Sequence, residues 1–476
     1  MKHLRTLFCA AAPLLLGACA VSAPPARVAA PAPAAWQAAG ADAPAQARLT
    51  ELASWWQGQG DPLLAELIGA AQTASPTVSA ARSRIAQARA QSVAAGAALL
   101  PAVDAAASIS RASQQSTLPL GTTSQLGLQT AWEIDLFGAR RAERNAADAR
   151  LAGSTATWHE ARVSVAAETA NQYYALRSCG ALLAVAEQDA ASRTDSARLT
   201  ALTTEAGFQS PANAALARAS AAEGSSRVIE QQAQCELDLK ALVALTALPE
   251  AQLRQRLAAS GAVAASAVEI SAVPTQLLAQ RPDVFNAEQL VAAASDDVGS
   301  AQADRYPRLS LQGNVGVANF RSGGENTKLD TWTIGPLALS LPIFDSGRRA
   351  ANVDAARARY DDAVVSYRAT ARQAVREVEE ALVRQRSAAR RSADAGTALD
   401  GYRYAFRATE DLYKNGLASL LQLEDARRTR LNAENALVNL ERERNAALVA
   451  LYRAAGGGWT VATNRPPASA ATAARQ

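Results

Sequence analysis

The residues with the clearest chemistry in this sequence are its four cysteines, and the second of them ends a segment suited to covalent modification. Lys2 and Arg5 begin the chain, an apolar run covers residues 4–16, and Leu16-Gly17-Ala18-Cys19 follows at once. A basic start, a short apolar run and small residues at the cleavage point are typical of a secretory signal. We predict a signal peptide over residues 1–18 and a lipid on the Cys19 thiol, with no other cofactor. The alternative is an ordinary signal peptide with an incidental cysteine.

The third and fourth cysteines are candidates for a disulfide bond. Cys9 leaves with the signal, so Cys179 and Cys235 remain as a pair in an oxidising compartment. If a helical hairpin turns near residue 208, one cysteine lies about thirty residues before the turn and the other about twenty-seven after it, so their heights differ by only about 5 Å. A bond would then join the two helices. The alternative of two separate buried thiols stays open.

Other chemistry is hard to build from these residues. His3 leaves with the signal, and His159 is the second of the two histidines, so neither a histidine-based metal site nor a Ser-His-Asp triad can be assembled within one chain. We find no glycine loop of the phosphate-binding type. The formal net charge of +4 over 476 residues does not favour nucleic-acid binding. We expect a protein that is not an enzyme and that binds no metal and no nucleic acid.

The distribution of proline predicts very long helices. Residues 19–48 are rich in Ala and Pro and predict an extended tether, whereas proline is absent from residues 120–210, 212–248 and 343–465. An interior proline breaks a helix, so its absence permits long ones. A helix from Gly138 to about Ala206 would extend roughly 100 Å at 1.5 Å per residue.

The sequence repeats itself once. Pro101 and Pro307 are 206 residues apart, Arg140 and Arg348 are 208 apart, and Gly207 and Gly416 are 209 apart. Each of these residues stands at the same place in a series of helix, two strands, long helix, turn and helix, as an internal duplication requires. We assign a first repeat to residues 49–248, a linker and second repeat to 249–456, and a flexible tail to 457–476.

Four segments alternate between apolar and polar residues, as half-exposed strands do. Residues 125–136 and 309–318 alternate clearly, the stretch around residues 103–110 does so more weakly, and residues 331–344 do so less strictly. Strands of about ten residues are long enough to cross a membrane at a tilt. Four strands cannot close a membrane barrel, since small barrels need about eight. Several chains must share the barrel, and counting alone permits a dimer or a trimer.

At this point the sequence resembles a known family, the TolC-like outer membrane factors, and in particular their lipoprotein branch that serves drug and metal efflux. The most specific matches are Trp132-Glu133-Ile134-Asp135-Leu136-Phe137-Gly138 and Leu277-Leu278-Ala279-Gln280-Arg281-Pro282-Asp283-Val284, with Tyr306-Pro307 before the third strand. The two turns, Gly207 with Ser210 and Gly416 with Ser419, agree as well. The match covers almost all of the chain that follows the signal.

The resemblance implies a mainly α-helical fold with a small β part. A homotrimer would share a 12-stranded membrane β-barrel, four strands from each chain, continued by a long α-helical barrel across the periplasm. Its partners would be a periplasmic adaptor protein, an inner-membrane transporter of the RND type and outer-membrane lipid. Ala20, where sorting to the inner membrane uses Asp, favours the outer membrane for a lipid-anchored protein that extends into the periplasm.

The same resemblance implies a periplasmic gate near the two turns, formed by Asn213, Tyr413, Gln422 and Asp425. Tyr413 would contact Asn213, where relatives often carry an acid, and three copies of Asp425 would form a negative ring that favours cations. A neutral Asn makes a weaker bond than a carboxylate. The resemblance thus predicts an inner end that is less tightly held and less negative than is usual in the family.

The function implied is passive conduction of small molecules out of the cell, driven by the pump and adaptor. One alternative is an exit duct for type I protein secretion, which shares the fold. Another is a periplasmic coiled-coil lipoprotein whose strands form a soluble sheet. The sequence does not identify the transported substrate, because selection in such systems falls mainly to the pump.

Overall fold

The computed structural model describes residues 21–30, 32–38, 55–58, 60–113, 120–261 and 277–460. The predicted signal peptide, the predicted lipid site Cys19 and most of the predicted tail lie outside these ranges. The elements in chain order are α1 Trp55–Gly58, α2 Pro62–Ala74, α3 Pro76–Ala97, β1 Ala102–Ala112, β2 Gly121–Ile134, α4 Ala139–Glu205, α5 Pro211–Thr246, α6 Glu250–Ala259, α7 Pro282–Ala303, β3 Arg308–Ser322, β4 Glu325–Ser340, α8 Arg348–Lys414, α9 Leu420–Ala454 and a 3₁₀ turn at Gly456–Gly458.

The helix lengths show the internal duplication directly. The two longest helices, α4 and α8, each contain 67 residues. The helices that follow them contain 36 and 35 residues, and the helices that precede the two strand pairs contain 22 each. The predicted long helix from Gly138 to about Ala206 is therefore confirmed. We call α4 with α5 the first hairpin and α8 with α9 the second hairpin.

The four strands form one antiparallel sheet in the order β1-β2-β3-β4. The prediction of four strands is confirmed, but the last pair is longer than expected and the fourth strand begins six residues before the predicted residue 331. The reason is a tight turn at Gly323 and Gly324, both of which have positive φ. Such a two-residue turn matches the twist of the strands, so pairing continues up to Ser322 and Glu325.

A hydrophobic core forms where helices of both hairpins pack against α1 and α2. Trp55 stacks on Tyr452 with their ring centroids 4.9 Å apart, and Trp56 meets the same tyrosine edge-on. Nearby, the Tyr173 hydroxyl donates to the Asp61 carboxylate at 2.6 Å, and Asp61 also caps helix α2. Burial is the largest cause that raises the pKa of Tyr173 to about 12. The segments around α1, α2 and α9 are thereby fixed to helix α4.

The described part of the predicted tether contains neither helix nor strand and is hydrogen bonded to helices. The Ser22 amide donates to Gln302, and the Ser295 hydroxyl donates to the carbonyl of Pro24. Further along, the amides of Gln37 and Ala38 both donate to the Glu379 carboxylate, at 2.7 and 2.8 Å. These residues are therefore held against helices α7 and α8 by hydrogen bonds.

The chain divides into two compact units. One contains residues 81–157 and 283–370 with the start of the chain, and includes the sheet. The other contains residues 32–80, 158–282 and 371–476, as far as they are described, and includes the turns of both hairpins. Within the described ranges, every helix is too short or too polar to cross a membrane.

Candidate functional site at the paired helical turns

The turn of the first hairpin is closed by its own backbone. The Phe208 amide donates to the carbonyl of Thr203, and the Gly207 amide donates to that of Thr204. This Schellman pattern requires a left-handed residue, which Gly207 supplies with φ of 80°. Ser210 then caps helix α5 by accepting a bond from the Asn213 amide at 3.2 Å.

The turn of the second hairpin repeats this arrangement. The Leu417 amide donates to the carbonyl of Leu412, the Gly416 amide donates to that of Tyr413, and Gly416 has φ of 75°. Ser419 caps helix α9 and accepts from the Gln422 amide, while the Gln422 side chain accepts from the Ser419 amide at 2.7 Å. The reciprocal pair is a capping box, which the first hairpin lacks.

The structure gives Tyr413 a different partner from the one predicted. Its hydroxyl lies 2.6 Å from the hydroxyl of Thr200 on α4, and both residues are buried. Asn213 instead donates to Gln209 at 2.8 Å. Within this chain each of the two residues thus bonds a partner other than the one that the resemblance implied, and a contact between Tyr413 and Asn213 stays a prediction.

The other two predicted gate residues lie at the start of α9. Gln422 belongs to the capping box, so its side chain is held against Ser419. The Asp425 side chain is 64% exposed and pairs with Arg428, which is 71% exposed. Exposed pairs of this kind contribute little to stability. The Asp425 carboxylate is thus free to face solvent, with a compensating cation three residues away.

A buried charged cluster joins the two hairpins beyond these turns. The Glu424 carboxylate on α9 accepts from Arg193 on α4 at 3.0 Å and from Arg427 on its own helix. Arg193 also donates to Asp189 at 2.7 Å and to Ser220 on α5 at 2.6 Å. The Arg193 guanidinium and the Glu424 carboxylate therefore connect helices α4, α5 and α9.

Arg427 is the most completely buried member of this cluster, with no solvent exposure at all. Its guanidinium donates to the Ser196 hydroxyl at 2.8 Å and to the Ser192 hydroxyl at 3.1 Å, both on α4. Burial is the largest cause that lowers the pKa of Arg427, and the nearby carboxylates of Glu424 and Asp189 oppose it. A buried cation is costly unless it is paired and hydrogen bonded, as this one is.

Helix α8 contacts the cluster through Arg403 and Phe406. Arg403 donates to Glu434 on α9 at 3.0 Å. Arg430 lies over the ring of Phe406, with its guanidinium carbon 4.1 Å from the ring centroid. Such a cation–π contact is stronger when it is shielded from water. We call Asp189, Arg193, Glu424, Arg427, Arg430 and Glu434 the buried ionic cluster.

The spacing of residues along α9 indicates which of them are buried, even where their charge predicts a surface position. The alternating charges from Glu424 to Arg444 predict a solvated helix face, but the first part of that stretch is different, because Arg427 and Glu434 are buried. Leu420, Leu423, Arg427 and Leu431 recur at three- and four-residue spacing and are all buried. Arg427 therefore stands in the apolar stripe of α9, which is the position where its burial could have been recognised.

The two remaining cysteines are joined in the structure. Cys179 on α4 and Cys235 on α5 form a disulfide with their Cα atoms 5.5 Å apart. The Gln231 amide donates to the Cys179 sulfur at 3.0 Å. This bond links the helices of the first hairpin, and the second hairpin contains no cysteine.

The sheet has one apolar face and one polar face. Register places Leu126 opposite Val317 and Leu128 opposite Val315, and all four side chains are exposed. On the other face Asp104, Gln129, Asn314 and Thr333 form one row across the four strands. The apolar face is the one that would contact lipid, and the polar face would contact water.

Among the described residues, no group of three or more His, Cys, Asp or Glu side chains is arranged to hold a metal ion.

Comparison with known proteins matches the chain to the family described as outer membrane efflux protein, over residues 67–248 and 273–457. The chain belongs to that family. The Pseudomonas aeruginosa outer membrane protein OprJ is 30% identical over 462 residues, which cover 94% of each chain. The solvent efflux pump outer membrane protein SrpC of Pseudomonas putida is 30% identical over 347 residues, covering 71% of this chain and 72% of that one.

A solved structure agrees with these relatives. The outer-membrane channel OprN is 28% identical, with a TM-score of 0.83 over 92% of this chain and 99% of that one. The efflux family therefore accounts for both the helical hairpins and the four-stranded sheet. This protein is an outer-membrane efflux channel, as the resemblance predicted.

Proposed function

We propose that three copies of this chain form one channel whose twelve strands close into a barrel. The sheet supports this, because β1 and β4 lie at its edges and have no further strand to pair with among the described residues. An open edge in lipid leaves backbone groups without hydrogen bonds, so strands of neighbouring chains must complete the ladder. The exposed apolar face that includes Leu126 and Val317 is the observation that carries the proposal.

The mechanism is passive conduction and involves no catalytic step. The row from Asp104 to Thr333 would line the strand part of the pore with polar groups that accept water. Energy would come from an inner-membrane transporter of the RND type, joined to the channel through a periplasmic adaptor. The turns at Gly207 and Gly416 are the natural place for that adaptor, because they end both hairpins and expose Phe208 and Leu417.

The substrates are small molecules such as drugs, toxic compounds or metal ions. SrpC is named for solvents, and OpmQ of Pseudomonas aeruginosa, 30% identical over 485 residues, is named for pyoverdine export. Relatives of similar identity thus differ in cargo, as expected if the pump selects the substrate. Type I protein secretion is the weaker alternative, because these relatives are named for export of small molecules.

The chain is anchored by a lipid on Cys19 after removal of residues 1–18. The support is the sequence Leu16-Gly17-Ala18-Cys19, and the outer membrane is the destination of the family's members. Metabolic labelling with an alkyne fatty acid tests the anchor. We expect labelled protein from the natural chain and none from Cys19→Ala; labelling of the variant would contradict the proposal.

The periplasmic end is proposed to carry a weak negative ring made by three copies of Asp425. Its support is the exposed Asp425 carboxylate near the turn of the second hairpin. Charged rings favour ions of opposite sign, so Asp425→Ala should lower cation selectivity. Unchanged conductance and unchanged selectivity in planar bilayers would argue against the ring.

Channel formation itself is tested with purified protein in planar lipid bilayers. We expect discrete conductance steps and a trimer by mass measurement in detergent. A protein that stays monomeric and gives no steps would contradict the proposal. Identifying the pump and adaptor genes encoded nearby, and restoring export with all three proteins in cells that lack their own duct, would then test the efflux role.

A further inference from the structure

The apolar face of the sheet becomes basic at the end where the strands turn. Register fixes which residues share this face with Leu126. The last row on it, from β1 to β4, is Arg111, Thr122, Arg321 and Asn326, and Lys328 lies in the row before. All five side chains can donate a hydrogen bond, and none is acidic. We call Arg111, Arg321 and Lys328 the basic rim.

We propose that the basic rim binds the phosphate groups of lipids in the outer leaflet of the outer membrane. The proposal rests on the barrel proposed above, in which this face contacts lipid. The ligand is a lipid with a phosphorylated head group, whose acyl chains follow the apolar face and whose phosphate lies at the rim. A guanidinium matches the geometry of phosphate oxygens, since it offers two parallel N–H donors.

The first argument is that charge is divided between the two faces of the sheet. The strands contain four basic residues, and three of them form the basic rim. The fourth, Arg308, lies on the polar face at the opposite end of β3. The acidic residues show the reverse: Asp104, Glu133 and Glu325 lie on the polar face, and Asp330 lies on the apolar one. The apolar face therefore carries a net charge of 3 − 1 = +2, which suits an anionic partner.

The second argument is the height of the rim. Ile134 and Leu309 end the apolar face beside the helices, and Thr122 stands twelve residues before Ile134. Twelve residues extend about 40 Å at about 3.4 Å per residue. At a tilt of about 40° this lifts the last row by about 31 Å, close to the roughly 30 Å thickness of a bilayer's hydrocarbon core. The basic rim therefore lies where the acyl chains end and the head groups begin.

The third argument is that the cations of the basic rim lack a partner within the chain. All three are exposed and form no ion pair with another described residue. At the helix end of the sheet the arginines are paired: Arg140 contacts Glu133 at 3.2 Å, and Arg141 contacts Asp135 at 3.1 Å. The protein thus neutralises its cations at one end of the sheet and leaves them available to an outside anion at the other.

The fourth argument is the order of donors in the last row. Thr122 on β2 stands between Arg111 on β1 and Arg321 on β3. Neighbouring strands are about 5 Å apart, so both long side chains can reach the space in front of the threonine. Phosphate oxygens accept from guanidinium and hydroxyl donors alike. A phosphate in front of Thr122 can therefore be held from both sides.

The basic rim also continues from one chain to the next. Because β1 and β4 are the edges of the sheet, the proposed barrel sets β4 of one chain beside β1 of its neighbour. Lys328 and Arg111 then lie on adjoining strands of different chains, both facing lipid. A lipid bound at this boundary contacts two chains, so it should also stabilise the trimer against dissociation.

Binding is measured by native mass spectrometry of the purified full-length protein in non-ionic detergent. The probe is lipid A, a phosphorylated acyl disaccharide, and the references are its phosphate-free form and inorganic phosphate. We expect the trimer to retain lipid A and to release both references at the same concentration. Equal retention of the two lipids would overturn the proposal, because the apolar face alone would then explain binding. Displacement of lipid A by an equal concentration of inorganic phosphate would also overturn it.

Arg321→Gln removes one cation of the basic rim. We expect lipid A to bind about fivefold more weakly, the usual effect of one basic residue at an anionic lipid surface, and about 25-fold more weakly when Arg111→Gln is added. Arg321→Lys keeps the charge and should lose less than Arg321→Gln. The matched control is Arg308→Gln, because Arg308 lies on the same strand but on the polar face, where it pairs with Asp304. It should leave lipid binding unchanged.

The same measurement separates the site from a general effect of charge. Equal losses for Arg308→Gln and Arg321→Gln would overturn the proposal. Should Arg321→Gln fail to assemble, Lys328→Gln tests the same rim from β4, and unchanged retention of lipid A by that variant would likewise overturn it.

The outcomes also distinguish the lipid site from the channel. A natural protein that forms no trimer and gives no conductance would contradict the channel, and the lipid site with it. A natural protein that conducts but retains lipid A no better than the phosphate-free lipid would contradict only the lipid site.

Discussion

The two hairpins descend from one repeated pattern but are held together by different means. Their turns share the Schellman pattern at Gly207 and Gly416 and a serine cap three residues later. Yet the first hairpin is joined within itself by the Cys179–Cys235 disulfide. The second is joined to the first through Arg427 and its neighbours. Backbone geometry was preserved in both copies, while side-chain bonding became specific to each.

This difference suggests different mechanical roles. A covalent link prevents the helices of the first hairpin from separating, whereas hydrogen bonds and ion pairs can break and form again. The first hairpin is therefore suited to act as the rigid element and the second as the one that moves.

The largest expected effect concerns the buried end of the second hairpin. Arg427→Ala removes one of the two guanidiniums that pair with Glu424 and also the donor to the Ser192 and Ser196 hydroxyls, so we expect a loss of about 3–5 kcal/mol in the free energy of unfolding. Denaturant unfolding in detergent measures this loss. Arg428→Ala, at the exposed neighbouring position, should cost less than about 1 kcal/mol. Equal losses for the two variants would contradict the burial argument.

The next effect concerns the first hairpin. Replacing Cys179 and Cys235 together by alanine should lower the free energy of unfolding by about 2–4 kcal/mol, because the unfolded chain loses a constraint. Treating the natural protein with a reductant should give a similar loss. The comparison between the hairpins would fail if reductant had no effect on a protein shown by mass spectrometry to be oxidised.

The helix caps should show a smaller difference. Ser210→Ala and Ser419→Ala each remove a cap, which typically costs about 0.5–2 kcal/mol. We expect the larger loss for Ser419→Ala, because the Ser419 hydroxyl both accepts from the Gln422 backbone amide and donates to the Gln422 side chain at 3.0 Å. Thermal unfolding of the two variants gives the order. The reverse order would show that the capping box adds nothing here.

The smallest effect tests which partner Tyr413 uses. Tyr413→Phe should cost about 1 kcal/mol, the usual contribution of one neutral hydrogen bond. A double-mutant cycle with Thr200→Val should show that the two losses are coupled, and a cycle with Asn213→Ala should show that they are not. Coupling to Asn213 would restore the contact that the family resemblance implied.

Periodicity in the sequence predicted most of the fold. The spacing of proline, the alternation in four segments and the shift of about 208 residues between repeats were sufficient to place the long helices, the strands and both turns. The tight turn at Gly323 and Gly324 was missed because the polar residues around it do not alternate clearly. Helix geometry alone also placed Cys179 and Cys235 at similar heights, where the structure joins them.

The candidate site was harder to predict, for two physical reasons. A charged residue is ordinarily solvated, so the charge of Arg427 predicts a surface position even though the residue stands in an apolar stripe. Its burial depends on Ser192 and Ser196, which lie more than 230 residues away in sequence. The partner of Tyr413 was carried over from a family pattern, and the pattern does not show that Gln209 already binds the Asn213 side chain.

The disulfide of the first hairpin also carries information about the history of each molecule. Thiols stay reduced in the cytosol, so Cys179 and Cys235 can join only after both have left that compartment. The bond closes a loop that brings together residues 56 positions apart. An oxidised chain has therefore been exported and has brought α4 and α5 together. A shift in mobility on a non-reducing gel would time both events in a single pulse-chase experiment.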